Sequence, residues 1–393
     1  MNEPVEMYDV IILGAGASGL MAAINAAKRG RRVLLIDHSK KAGKKILVSG
    51  GGKCNVTNMN ISVADYFGAN NVFCKYALKC FTTRSALNMM EEAGIKTEER
   101  DFGRIFCKTG ADEIVSYLVR TAKDYGVHFV FDTTISDVSL TSCFCVNCEN
   151  RQYKSSRLLV ATGGLAWPQI GATNLGYVIA RQFGHKVTTL TPALAGFILT
   201  QDSPLMNLQG ISLDVQLRIK GKSPVVEEPL LFTHKGISGP AALQVSCFWE
   251  KGDVIAINFL PSEDFISLMH EPQNGKLFVG KLLTHFLPER LVTAIIPEKL
   301  YSRKVAELGK KERNSLAECV HSYPVQPDSV EGFSKAEATM GGVSTEEINP
   351  RTMESLLIKG LFFSGEVVDI TGKLGGYNIH WAFASGLIAG QNI

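Results

Sequence analysis

The sequence has no dominant charge: 41 Lys and Arg against 38 Asp and Glu leave a net +3 at neutral pH. A balance so close to zero provides no basic tail and argues against nucleic acid or an anionic membrane surface as a partner. A membrane-spanning run is also missing. The apolar stretch from Val10 to Ile24 is shorter than a span and is broken by Gly14, Gly16 and Gly19. The opening residues carry Glu3, Glu6 and Asp9 where a secretion signal would be basic, so a cytoplasmic location is expected. No Walker A loop, no HExxH and no Ser/His/Asp elbow occurs, which leaves hydrolase readings with little to stand on. The nine cysteines are odd in number and scattered, as suits a reducing compartment. Cys143, Cys145 and Cys148 have no companion pair or nearby His to complete a metal site, so they read as packing and no metal is expected.

Glycine, by contrast, is plentiful, with 37 residues that cluster. The first cluster lies in YDVIILGAGASGLMAAINAAKRGRRVLLID. Val10 to Leu13 is a continuous apolar run, as expected of a parallel strand buried on both faces. It runs directly into Gly14-x-Gly16-x-x-Gly19, and then Leu20, Ala23, Ile24 and Ala27 recur at helical spacing. A second apolar run, Val33 to Ile36, ends at Asp37, followed by His38, and both are expected beside the cofactor. These are the parts of a dinucleotide-binding βαβ unit in order. Gly14 permits the tight turn, Gly16 lets backbone approach a pyrophosphate, and Gly19 lets helix and strand pack closely. The helix start at Ala17 and Ser18 supplies free N–H groups and the positive dipole end. Asp37 is placed to accept hydrogen bonds from an adenosine ribose, and an acid there disfavours a 2′-phosphate.

The same fingerprint serves NAD and FAD proteins, and three further segments favour FAD. The stretch HSKKAGKKILVSGGGKCNVTN reads as a long loop rich in Lys and Gly. Its amides, with Lys45 and Lys53, suit an extended anionic ligand. Gly51, Gly52, Lys53, Cys54 and Asn55 are expected beside the cofactor. RLLVATGGLAWP ends a strand at Ala161, Thr162 and Gly163, again inviting close backbone contact. Finally, GLFFSGEVVDITGKLGGYNIHWAFASGLIAG brings Gly365, Glu366 and Asp369, then Gly375 and Gly376 opening a helix at Tyr377 and Asn378. That helix start would aim its positive end at a flavin ring, and Asp369 is placed for ribityl hydroxyls.

With GKKILVSGGGKCNVTN, FTHKGISGPAAL, ATMGGV, TMES and GEVVDITGKLGGYN all present, the chain resembles a known family over essentially its full length. It is similar to the two-dinucleotide-binding-domain flavoproteins of the BaiN-like, aminoacetone-oxidase-like group, also described as NAD(FAD)-utilising dehydrogenases. The resemblance implies non-covalent FAD held by the N- and C-terminal segments, with other modules inserted between them. Three positions depart from the family's pattern: Lys53 stands for Arg, Leu356 for a basic residue and Cys107 for Pro. In FTHKGISGP, His234 and Thr233 are the catalytic candidates; His234 reads equally as a hydrogen-bonded turn residue or as a group orienting substrate.

The expected fold is α/β. A Rossmann-like FAD-binding domain spans 1–190 and 340–393. A β-rich, barrel-like insert spans 191–261 and 322–339, and a helical subdomain spans 262–321. TRSALNMMEEAG and ADEIVSYLVRTAKDYG predict helices within 60–130, and the stretch from Val127 to Val160 alternates like a β-meander. The activity expected is an FAD-dependent oxidoreductase passing a hydride between flavin and a small amine or enone. No second GxGxxG unit serves NAD(P)H, which would act as a transient donor if at all. A flavoprotein acting on RNA and a non-catalytic FAD-binding sensor are the rival readings.

Overall fold

The computed structural model describes residues 6–149 and 151–393. The chain divides into two compact units, Met1–Pro192 with Glu337–Ile393, and Ala193–Ala336.

The first unit is built on the βαβ start. Strand β1 (Met7–Leu13) leads into helix α1 (Ala17–Lys28) and strand β2 (Val33–Ile36). Val10 to Leu13 and Val33 to Ile36 are essentially inaccessible, as continuous apolar runs in a doubly covered parallel sheet should be. The next segment differs from the long loop expected. It folds as a short helix, α2 (Lys44–Val48), then a glycine turn, then strand β3 (Asn55–Asn58). The cause is local. Gly43 is left-handed (φ 71°) and sits so near Val115 that a Cβ would stand 2.5 Å from its Cγ2, while Ile46 is buried.

Helix α3 (Thr83–Glu92) and helix α4 (Ala111–Asp124) occupy the two predicted helical stretches. Between them β4 (Thr97–Arg100) and β5 (Arg104–Cys107) pair antiparallel, and β5 also pairs with β3, a small sheet that the periodicity did not indicate. Then come β6 (His128–Val130), β7 (Ile135–Leu140), β8 (Phe144–Cys148), β9 (Gln152–Val160), helix α5 (Leu175–Gln182), β10 (Leu361–Phe363) and helix α6 (Tyr377–Asn392). The main sheet runs β6-β2-β1-β9, all parallel; β9 then pairs with antiparallel β8 along its first half and with parallel β10 at its end. The register places Ile12 opposite both Leu35 and Leu159. Strand β10 is thus the means by which the C-terminal segment joins the N-terminal sheet.

Helices α1 and α6 pack backbone to backbone. A Cβ on Gly386 would stand 2.3 Å from the carbonyl oxygen of Ser18, and one on Gly390 2.5 Å from that of Ala22. Trp381 and Phe383 on α6 are buried, each contributing roughly 150–250 Å² of covered surface.

In the second unit a seven-stranded antiparallel sheet is formed by 197–198, 212–219, 226–232, 236–238, 255–258, 323–325 and 329–330. The helices Phe265–His270, Val279–Leu283, Glu289–Ile295 and Lys310–His321 share one apolar core with this sheet. Among the described residues no helix is long and apolar enough to cross a membrane.

Candidate functional site: a glycine-lined cleft at the end of the parallel sheet

The cleft opens where β1, β9 and β10 end, the place where open α/β sheets bind ligands. It encloses about 910 Å³, its open mouth included. Gly14 to Ser18, Asp37, Lys45, Ala161 to Gly163, Gly365, Glu366 and Asn378 all line it, so residues more than 300 positions apart meet on one wall.

The three fingerprint glycines have distinct surroundings. A Cβ on Gly14 would lie 2.5 Å from the carbonyl oxygen of Ala161, and one on Gly19 only 1.9 Å from that of Gly14. A Cβ on Gly16 would meet no protein atom within 4 Å. Gly14 and Gly19 are therefore required by the protein's own packing, whereas Gly16 leaves room for something else. No side chain caps α1, so its first amides are left for an acceptor in the cleft.

Asp37 organises the floor. Its Oδ2 accepts from Ala15 N and its Oδ1 from Ser39 N, both at 2.7 Å. Two backbone donors on one carboxylate leave lone pairs free for a ligand hydroxyl. His38 stands beside it, 3.6 Å from Oδ1, but outside the lining. Lys45 reaches across to the C-terminal segment, its Nζ 2.5 Å from Glu366 Oε2. The other oxygen of Glu366 accepts from Thr339 N at 2.8 Å. Thr339 Oγ1 in turn accepts from Leu165 N (2.8 Å) and Ala166 N (3.2 Å), which fixes the loop after Gly163. Thr162 Oγ1 is shielded from solvent and has no hydrogen-bond partner. It faces Gly176, where a Cβ would stand 2.2 Å from it, and so is turned away from the cleft.

The glycine run answers a backbone demand. Gly50, Gly51 and Gly52 all have positive φ, at 57°, 65° and 86°. Only glycine holds three such residues in succession at low cost. A Cβ at Gly51 would meet nothing within 4 Å. Asn55, just beyond, faces the turn before α6: with its amide oxygen toward Gly376 N (3.2 Å), its nitrogen donates to Thr57 O and Ile105 O, each at 3.1 Å. Asn58 donates to Gly375 O at 3.0 Å. Strand β3 and the Gly375–Asn378 turn therefore meet, but of these residues only Asn378 lines the cleft; Gly51, Gly52, Asn55, Gly375 and Gly376 lie off it.

Other expected residues lie off the cleft lining. Cys54 is buried in the apolar core, and burial pushes its thiol up to about 12. Lys53 is half-exposed and pairs with Glu98 at 3.9 Å. Asp369 is buried with its Oδ2 accepting from Ala69 N at 3.3 Å, and burial raises its carboxyl above the usual range. Tyr377 is buried, its carbonyl accepting from Tyr66 Oη at 3.1 Å. Thr233 and His234 belong to the second unit, where His234 is exposed and Thr233 Oγ1 closes the turn by donating to Gly236 O at 3.3 Å. Conversely Ser39, Lys41 and Gly171 line the cleft without having been singled out. The basic run around Lys41 is a signal that was available; Gly171 has none.

Beneath the α6 N-terminus, His380 is fully buried. Its Nε2 is 2.9 Å from Phe81 O, an acceptor only, so Nε2 carries the proton and Thr57 Oγ1 donates to Nδ1 at 2.8 Å. Desolvation lowers its pKa to about 4, which keeps the ring neutral.

Comparison with known proteins agrees with this architecture. Residues 8–392 match the HI0933-like protein Rossmann domain family, and the chain belongs to it. This is a family of FAD-dependent oxidoreductases, as the motif resemblance implied. The chain is 38% identical over 403 aligned residues to the ribosomal RNA dihydrouridine synthase of Escherichia coli (strain K12), covering 99% of this chain and 98% of that protein. It is 28% identical over 405 residues to the 3-dehydro-bile acid delta(4,6)-reductase of Clostridium scindens, covering 98% of each. Among solved structures, a quinol-fumarate reductase shares the fold at a TM-score of 0.51 and 17% identity, covering 99% of this chain and 71% of that one.

Proposed function

We propose that this chain reduces the C5=C6 bond of a uracil base in ribosomal RNA, with NAD(P)H as the source of electrons. The observation that carries this reading is full-length similarity, at 38% and 39% identity, to ribosomal RNA dihydrouridine synthases of two organisms. The similarity to the bile-acid reductase is weaker, at 28%, but it is chemically consistent. Saturating uracil and saturating an enone both add hydride to the carbon β to a carbonyl and a proton to the α-carbon. The balance is uridine, NAD(P)H and a proton in; dihydrouridine and NAD(P)+ out. On this reading the expectation of no nucleic-acid partner, drawn from the near-neutral charge, gives way.

The cleft fits FAD. The room beside Gly16 and the uncapped α1 amides suit a pyrophosphate, and Asp37 suits the adenosine ribose. FAD bound there supplies the two-electron carrier. The chain contributes the helix α6 N-terminus at Gly376 to Asn378, whose dipole favours negative charge, and the Lys45–Glu366 pair that closes the wall.

The test is incubation of the FAD-loaded protein with ribosomal RNA from cells lacking the corresponding gene, together with NADPH or NADH. Digestion and mass analysis should reveal a nucleoside two hydrogens heavier than uridine. Unchanged RNA, alongside flavin oxidation by a steroid enone, would select small-molecule reduction instead.

A further inference from the structure

The small sheet β3-β5-β4 ends in a feature that the cofactor does not explain. At the tip of the 97–107 hairpin, Phe102 is 52% exposed and its backbone is left-handed, with φ 62°. A bulky residue in that region is a genuine outlier, and an aromatic ring spread into water gains nothing from burial. Strain of this kind persists where surrounding contacts hold it in place. Here they do. The amide of Asn58, itself buried, donates to Phe102 O at 3.1 Å and to Gly375 O at 3.0 Å. Met59 N donates to Gly103 O at 2.8 Å. One asparagine thus ties the hairpin tip to the turn that opens α6.

Arginine accompanies the ring. The Arg104 guanidinium lies 5.1 Å from the Phe102 centroid, and its side chain passes Gly375 so closely that a Cβ there would stand 3.0 Å from Nε. Arg100 stacks on Phe106 of the same hairpin at 4.3 Å. Exposed Met59 adjoins the tip, since a Cβ on Gly103 would lie 3.2 Å from its Cβ. The hairpin's acids, Glu98, Glu99 and Asp101, offset its arginines, so it does not provide a phosphate track. An exposed aromatic face with a guanidinium beside it is instead the chemistry that takes a single unstacked base.

We infer that Phe102 and Arg104 form a stacking platform for an unstacked uracil, or its flanking base, in single-stranded RNA. The inference rests on the RNA reading above. It adds a named contact surface and makes binding depend on base stacking more than on phosphate charge.

The test uses the FAD-loaded full chain and a dye-labelled single-stranded oligouridylate, with an RNA duplex of equal length as control. The wild type should prefer the single strand. Phe102→Asn keeps a residue that tolerates positive φ and removes the ring, and should weaken binding about tenfold. Flavin content should stay unchanged. Phe102→Tyr should restore affinity, and the fluorescence of a Phe102→Trp protein should be quenched on binding. Wild-type affinity in Phe102→Asn with an unquenched tryptophan, in a protein that still makes dihydrouridine, overturns the platform and spares the RNA reading. A wild type that neither retains the oligouridylate nor modifies ribosomal RNA overturns both.

Discussion

Gly376 lies so near Thr57 that a Cβ on it would stand 2.3 Å from the Thr57 carbonyl oxygen. The contact joins the strand after the glycine run to the turn before α6. Gly376 also has φ 98°, which an L side chain adopts only under strain. Gly376→Ala therefore meets a backbone clash and a conformational penalty together, and should cost about 3 kcal/mol or more. A urea titration of the purified variant checks the stability. The yellow colour of the protein should fade in parallel, because the displaced turn is part of the proposed flavin site.

The fingerprint glycines separate folding from binding. Gly19→Ala places a methyl 1.9 Å from Gly14 O and should destabilise the apoprotein by about 3 kcal/mol or more. Gly16→Ala enters open space, so the apoprotein should lose only about 1 kcal/mol through poorer capping of α1. Its affinity for FAD should nevertheless fall at least about tenfold, since the methyl occupies the ligand's approach. Thermal melts of apoprotein beside flavin titrations decide the matter; equal FAD affinity in Gly16→Ala would remove Gly16 from the site.

The βαβ start was legible because the demands on its glycines are local: Gly14 and Gly19 meet backbone oxygens closely, and Gly16 borders open space. The segment from His38 to Asn58 was less so. Helix α2 has only five residues, too few for periodicity, and it exists because Gly43 and Ile46 seat it among distant residues. Strand β4 reads Thr-Glu-Glu-Arg, which has no apolar alternation and forms only because β5 pairs with it. Side-chain direction was the least accessible. Asp369 and Tyr377 sit in the expected segment, yet both turn into the interior instead of toward the cleft.

Cys54 should be chemically silent in the folded protein. It is buried beside Cys107, also buried, and desolvation holds its thiol near 12. Relative to an ordinary thiol near 9.0, its thiolate fraction is lower by about a thousandfold. A disulfide exchange reagent should modify exposed Cys80 first and reach Cys54 only on unfolding. Peptide mapping of the labelled protein checks the order. Rapid labelling of Cys54 would mean that the glycine turn opens on the timescale of the experiment.

His380 makes the stability of the first unit depend on pH. Its folded pKa, near 4, lies below the unfolded value near 6.5 because burial disfavours the imidazolium. The unfolded chain therefore binds the proton first. Stability that is fully present above about pH 6.5 is lost as pH falls toward 4, with a limit of about 3 kcal/mol from this residue. His185, also depressed by desolvation, contributes in the same direction. His380→Gln removes the titrating group, and a side chain that still hydrogen-bonds should limit the damage to the Thr57 and Phe81 contacts. Urea titrations across that interval should show a steep fall in wild-type stability and a shallower one in His380→Gln. Parallel slopes in the two proteins would mean that His380 is solvated or already charged at neutral pH, contrary to its full burial and the hydrogen bond at each ring nitrogen.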